Sequence, residues 1–148
     1  MNEQLNKALN VIGKDLISEI SKQLISMNKV ASGNLLNSLD YKVIEVVDGL
    51  TLELLAASYL DVVDKGRRPG KMPPTKAIES WIKVRGINVG KKGIKSTAFA
   101  IATSIKHNGI KATNIKQNAI NNIMTRMQQL LQKAAVEDIE KEINIILK

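Results

Sequence analysis

The side chains that could do chemistry in this sequence are lysines and arginines gathered between Asp61 and Lys95. This stretch has ten basic residues and three acidic ones, a net charge of +7, whereas the other residues carry 12 basic and 11 acidic groups, a net of +1. Clustered cations bind duplex DNA by releasing its counterions, and they also pair with carboxylates of a neighbouring subunit. Charge alone leaves both interpretations open beside that of a solvated loop. The candidate contact residues are Lys65, Arg67, Arg68, Lys71, Arg85, Lys91, Lys92 and Lys95.

No arrangement of residues supports catalysis or the binding of a metal or cofactor. The pairs Gly70-Lys71 and Gly90-Lys91 lack the earlier glycine and the following Ser or Thr of a P-loop, and no dinucleotide-binding glycine pattern follows a predicted strand. His107 is the single histidine and there is no cysteine, so a nucleophile–base pair or a set of three or four metal ligands cannot be assembled. A lone histidine near a helix end is typical of a capping or surface residue. We therefore expect a protein that is not an enzyme and needs no cofactor.

Three further features are interpreted as structure rather than as sites. Asp61 and Asp64 would lie on opposite faces of a strand, so a cation site there is unsupported, and Asp64 is interpreted as a turn residue before Gly66. Trp81 is expected in the core beside isoleucines of its helix, with an interface as the minority interpretation. The acidic residues near the C-terminus are expected on the solvated face of the last helix. They are Glu137, Asp138, Glu140 and Glu142.

Hydrophobic periodicity predicts a single α+β domain over residues 1–148. Apolar residues spaced by three and four predict one long helix at 3–28 and another at 118–147. Two β-branched runs joined by Asp48-Gly49 predict a hairpin. The apolar residues at 59–63 predict a further strand, which places a small antiparallel sheet at 40–64.

Two shorter helices are predicted between the sheet and the last helix. The prolines that end the basic loop at 65–74 can begin a helix at 75–86, because its first turn needs no donor from them. A segment rich in glycine and lysine at 86–95 predicts a mobile loop. The next helix is predicted at 96–108, with Phe99 on its inward side.

Bulk composition is that of a globular protein large enough to bury a core. Its 148 residues are 44% hydrophobic and 24% charged. Aromatic residues make up only 3%, which disfavours nucleic-acid binding by base stacking. Charged residues interrupt the first 28 positions and no apolar run approaches 18 residues, so neither a signal peptide nor a membrane span is expected.

Short motifs occur in a fixed order between the predicted helices. They are Ser32-Gly33-Asn34-Leu35-Leu36-Asn37-Ser38-Leu39, Tyr59-Leu60-Asp61-Val62-Val63-Asp64-Lys65-Gly66-Arg67-Arg68-Pro69, Ile78-Glu79-Ser80-Trp81-Ile82, and an alanine-rich segment from Ala98 that leads to Gly109-Ile110. In this order they resemble the tail-completion, or neck, proteins of tailed bacteriophages, which belong to the head–tail joining family. The match spans residues 32–113, a little over half of the chain, and is specific only as an ordered set.

The resemblance implies a structural virion protein that is assembled in the host cytoplasm. Such proteins form a ring of identical subunits between the capsid portal and the tail, around the DNA channel. Implied partners are further copies of the chain, a portal or adaptor ring, tail proteins and the passing genomic DNA, with no membrane. Arg67 and Arg68 would face a neighbouring subunit, an adjoining ring or the DNA. The last helix is longer than shorter members of the family need, which leaves the exact neck position open.

The charge distribution also supports an alternative. A basic protein that acts outside a virion would bind duplex DNA without sequence preference, and its binding would depend steeply on salt.

Overall fold

An α+β fold is present in the computed structural model, which describes residues 2–30 and 33–147. The elements are α1 (Glu3–Ser26), α2 (Asn34–Ser38), β1 (Asp40–Val46), β2 (Gly49–Leu55), α3 (Tyr59–Lys65), α4 (Thr75–Arg85), a 3-10 turn (Gly90–Lys92), α5 (Gly93–Asn108) and α6 (Ile115–Ile146). The predicted fold class is therefore confirmed. Ser32, the first residue of the ordered motifs, lies outside the described residues.

The frame of the fold is an antiparallel pair formed by α1 and α6. Ile20 and Leu24 on α1 are fully buried, and they share a core with Ile115 and Ala119 on α6. Both helices present apolar residues every three or four positions. The apolar faces of the two helices pack against each other along most of the length of α1. At about 1.5 Å per residue, α1 is roughly 35 Å long and α6 is longer still.

The sheet is a two-stranded hairpin that packs on α1. Val46 pairs with Gly49, so the loop consists of Val47 and Asp48, and the turn lies one residue earlier than predicted. Tyr41 of β1 crosses α1 at Gly13, where a β-carbon would overlap the tyrosine ring. A glycine within α1 therefore determines how closely the hairpin approaches the helix.

The predicted third strand is wrong, because residues 59–63 lie in α3. Leu60 and Val63, three positions apart, are both buried in the α1–α6 core, as the period of a helix requires. An apolar run this short is compatible with either structure, and periodicity cannot separate them. In the described part of the chain the sheet ends at Leu55 rather than at residue 64.

A second core joins α4 and α5. Ile78 and Ile82 pack against Ala98 and Ala102, whose small side chains let the two helices approach closely. Phe99 is 60% exposed, contrary to its predicted inward position.

Several predicted boundaries are corrected as well. The structure ends α1 at Ser26 and α4 at Arg85, and it starts α6 at Ile115 and ends it at Ile146. The expected mobile loop at 86–95 contains the 3-10 turn and the start of α5, which begins three residues earlier than predicted. Within the described residues, no helix has both the length and the apolar character needed to cross a membrane.

Candidate functional site

The segment that carries the basic loop is fixed to the end of α5 by a short backbone junction. Arg67 and Ile110 form an antiparallel bridge, in which Arg67 N donates to Ile110 O over 2.9 Å and Ile110 N donates to Arg67 O over 2.8 Å. Gly70 N donates to Lys106 O over 2.7 Å. Two stretches about forty residues apart in the chain therefore form one unit, which we call the loop junction (residues 66–70 and 106–110).

Two glycines make the loop junction possible. Gly66 follows α3 with φ 72° and ψ −164°, and Gly109 follows α5 with φ 70° and ψ −163°. A β-carbon on Gly66 would overlap Ile110 O, and one on Gly109 would overlap Arg67 O. Both the backbone conformation and the space thus require glycine.

Asp61 and Asp64 both contact the start of α6 and do not form a cation site. Because they lie on α3 rather than on a strand, both can reach the same neighbour. Lys116 N donates to Asp64 Oδ1 over 3.0 Å, and Lys116 Nζ lies 2.6 Å from Asp61 Oδ1. The hydrogen bond and charge of Lys116 lower the pKa of Asp61. Asp64 is therefore a helix cap supplied by another element, which corrects its interpretation as a turn residue.

Four predicted contact residues lie at or beside the loop junction. Arg67 is half-buried and its guanidinium donates to Lys71 O over 3.1 Å, so it holds the loop in shape. Lys65, Arg68 and Lys71 are exposed. The side chain of Arg68 makes no hydrogen bond or ion pair with any residue that the structure describes.

Lys106 also lies at the loop junction, although no sequence pattern pointed to it. Its carbonyl accepts the bond from Gly70 N, and its side chain is exposed on the last turn of α5. We call the group Lys65, Arg68, Lys71 and Lys106 the junction basic surface. Only the contact between the loop and α5 brings Lys106 to this group, since Lys71 and Lys106 are 35 positions apart in the chain.

Three other predicted contact residues lie at the opposite end of α5. Lys91 and Lys92 precede its first residue and Lys95 lies in its first turn, all exposed. A helix of 16 residues separates its two ends by about 22 Å. The cations that cluster in sequence therefore form two separate basic surfaces.

Arg85, the eighth predicted contact residue, has a structural role. It donates to Asn28 Oδ1 over 2.7 Å and also to the Asn28 carbonyl, and its guanidinium lies 5.7 Å from the centre of the Trp81 ring. These contacts join the end of α4 to the end of α1.

The prediction that Trp81 lies in the core is wrong, because 36% of the residue is exposed. It lines an apolar groove of about 280 Å³, together with residues that follow α1 and that begin α2 and α3. We call this the Trp81 groove; the residues that line it are Lys29, Val30, Gly33, Asn34, Leu35, Ala57, Tyr59, Ser80, Trp81 and Val84.

Asp138 corrects the prediction of a wholly solvated acidic face on α6. Only 7% of this residue is exposed, and its two carboxylate oxygens accept hydrogen bonds from Gln4 N and Leu5 N, each at 3.0 Å. Burial opposes ionisation, but these two bonds and the charge of Lys141 outweigh it and lower the pKa of Asp138. The carboxylate therefore caps α1 from a residue more than 130 positions away.

Exposed ion pairs reinforce the same end of the molecule. Glu3 contacts Lys7 at 2.6 Å and Lys141 at 3.2 Å, and these hydrogen bonds lower its pKa to about 2.

His107 is exposed on the last turn of α5. In residues 2–30 and 33–147, no group of three or more His, Asp or Glu side chains could hold a metal ion.

Comparison with known proteins gives no match: no family model fits the chain, and neither a curated protein nor a solved structure is similar to it.

Proposed function

We propose that this chain is a structural virion protein of a tailed phage, a ring-forming neck component that joins the capsid portal to the tail around the DNA channel. One observation carries the proposal beyond the sequence resemblance. Two of the ordered motifs, at 59–69 and around Gly109-Ile110, meet in the loop junction. Gly66 of the first motif leaves room for the backbone of Ile110, and Gly109 of the second leaves room for the backbone of Arg67. The resemblance thus rests on residues that act together in space.

The distribution of roles within the 59–69 motif adds support. Val63 is buried in the core, Asp64 caps α6, Gly66 permits the close approach and Arg67 forms the bridge. Lys65 and Arg68 are exposed and have no such role. An exposed cation next to a backbone that the loop junction holds is suited to a neighbouring subunit, an adjoining ring or passing DNA.

The location follows from this proposal. The chain would be found in the neck or tail of the virion, after assembly in the host cytoplasm. It would act without catalysis or cofactor, through contacts with other copies, with a portal or adaptor ring and with tail proteins.

A measurement on particles tests the proposal directly. Virus particles from the source culture would be purified, and the chain would be quantified by mass spectrometry against the portal protein. We expect a fixed ratio, equal to the portal copy number or to half of it. Absence from intact particles would overturn the proposal.

A DNA-binding role outside the virion is the second candidate, and the junction basic surface favours it. Lys65, Arg68, Lys71 and Lys106 are exposed around one backbone junction, as duplex binding would need. On this alternative the purified protein binds duplex DNA with an affinity that falls steeply with salt. On the neck proposal the subunit by itself shows no such strong binding.

A further inference from the structure

The last third of α6 presents an apolar stripe to solvent. Val136, Ile139, Ile143 and Ile146 are 54%, 58%, 49% and 79% exposed. Their spacing of three, four and three is the repeat by which one helix packs into a groove or against another helix. We call these four residues the α6 stripe. No described residue covers it.

Acidic side chains accompany the α6 stripe. Residues 136–147 contain four carboxylates and one lysine, but Asp138 is buried as the cap of α1 and Glu137 pairs with Lys133. Glu140 is exposed directly beside Ile139. Two such stripes packed on each other would bring like charges together, which disfavours a symmetric contact between two α6 ends.

The Trp81 groove has the complementary character. Its wall is apolar, with Tyr59 and Val84 about half exposed beside Trp81. Its lining includes one cation, Lys29, and exposed Lys83 precedes the lining residue Val84 on α4. An apolar helix with acidic flanks therefore matches this groove in both polarity and charge.

The two surfaces lie at opposite ends of α1. The α6 stripe lies beside Leu5 near the start of α1, whereas the Trp81 groove begins at Lys29, just after its end. Because α1 is about 35 Å long, the α6 end of a subunit cannot reach that subunit's own groove. A contact between them must join two copies.

We propose that the α6 stripe of one copy docks into the Trp81 groove of the next copy. The inference rests on the self-assembly contained in the proposed function and identifies the surfaces that carry it. Because two different surfaces meet, the contact is heterologous, and repetition by a closing rotation gives a ring.

Complementary variants test the contact. Ile143→Asp disables the stripe and Val84→Asp disables the groove; both positions are exposed, so the fold is preserved. Asn144→Asp adds the same charge to α6 one residue off the stripe and serves as the control. The mass of each protein would be measured by light scattering over a concentration series.

We expect the unchanged protein and the Asn144→Asp control to self-associate, while each disabled variant stays monomeric. An equimolar mixture of the two disabled variants still contains one intact stripe and one intact groove. It should therefore give a heterodimer and nothing larger.

Three results would overturn the inference: a monomeric unchanged protein at every concentration, assembly that survives both substitutions, or a Val84→Asp variant that still dimerises by itself. The last result would indicate a symmetric contact between stripes. The particle measurement is independent of these, so a chain present in particles but assembled through other surfaces would refute only this inference.

Discussion

At the scale of single residues, Gly66 and Gly109 are the positions on which the loop junction depends. Each ends a helix in the same backbone conformation, and each lies where the partner segment leaves no space for a side chain. Substitution at either position combines backbone strain with a steric clash against backbone atoms, which cannot move aside cheaply.

We expect Gly66→Ala to destabilise the protein by about 3 kcal/mol, because it adds positive-φ strain to a clash with Ile110 O. Denaturant unfolding measures the change. Gly93→Ala is the matched control, since Gly93 has nearly the same backbone conformation (φ 77°, ψ 169°) but no atom within 4 Å of the added carbon, and its cost should be the backbone strain alone, about 1–2 kcal/mol. Equal losses for both variants would contradict the importance of the close approach.

Asp138 is the second residue with a decisive role, since it caps α1 from the other long helix. Its pKa is lowered in the folded protein despite burial. The stabilisation from its charge is therefore complete above the usual aspartate pKa of about 4 and disappears as the pH falls through the lower folded value.

We expect Asp138→Asn to lower the Tm by about 3 °C near neutral pH, because one of the two backbone bonds to α1 loses its acceptor. The difference from the unchanged protein should shrink as the pH falls from neutral through the lowered folded pKa of Asp138, below which the carboxylate is protonated in both states. Thermal melts across this pH range, with exposed Asp48→Asn as control, measure it. A difference that stays constant with pH would contradict the charge argument.

At the scale of elements, the fold has two cores rather than one. The α1–α6 pair encloses one core with α3, and the α4–α5 pair encloses another. The hydrogen-bonded links between them are Arg85 to Asn28 on one side and the loop junction on the other. Such an arrangement allows one pair to open while the other stays folded.

We expect Ile82→Ala to weaken the α4–α5 pair by about 3 kcal/mol, because Ile82 is the most deeply buried large side chain of that core. Hydrogen exchange should then accelerate across α4 and α5 and change little in α1 and α6. Ile20→Ala, in the other core, should accelerate exchange in α1 and α6. Uniform acceleration by Ile82→Ala would indicate a single cooperative unit instead.

At the scale of the whole molecule, the excess positive charge is divided between two surfaces at the ends of α5. The junction basic surface contains Arg68, which is placed by a rigid backbone bridge, while Lys91 and Lys92 lie beside the start of α5. The 59–69 motif, on which the resemblance rests, contains Arg68 but neither Lys91 nor Lys92. The proposed function therefore assigns the contact with a neighbouring subunit, an adjoining ring or DNA to the junction basic surface.

We expect the double change Arg68→Gln and Lys71→Gln to leave the Tm within about 1 °C, as for other exposed side chains, and to lower the yield of infectious particles about tenfold or more. Lys91→Gln with Lys92→Gln removes the same charge at the other surface and should have the smaller effect. Complementation of a phage that lacks the gene measures both. The reverse order of effects would contradict the assignment.

The sequence by itself determined the elements whose period is long enough to be read. The stripe of α1, the paired runs of the hairpin and the proline start of α4 each specify their structure locally. Residues 59–63 and the start of α5 were mispredicted, because a short apolar run and a run of glycine and lysine are compatible with more than one conformation. Their structure is decided by what they contact: Leu60 and Val63 become helical because the α1–α6 core accepts both.

The candidate site was predictable in its composition but not in its arrangement. Of the eight predicted cations, six are exposed, Arg67 holds the loop in shape and Arg85 links α4 to α1, and only the tertiary structure makes this division and adds Lys106. The roles of Trp81 and Asp138 were likewise decided in three dimensions. Charge and periodicity are properties of neighbours along the chain, whereas grouping, capping and exposure depend on which distant segments the packing of the two cores brings together.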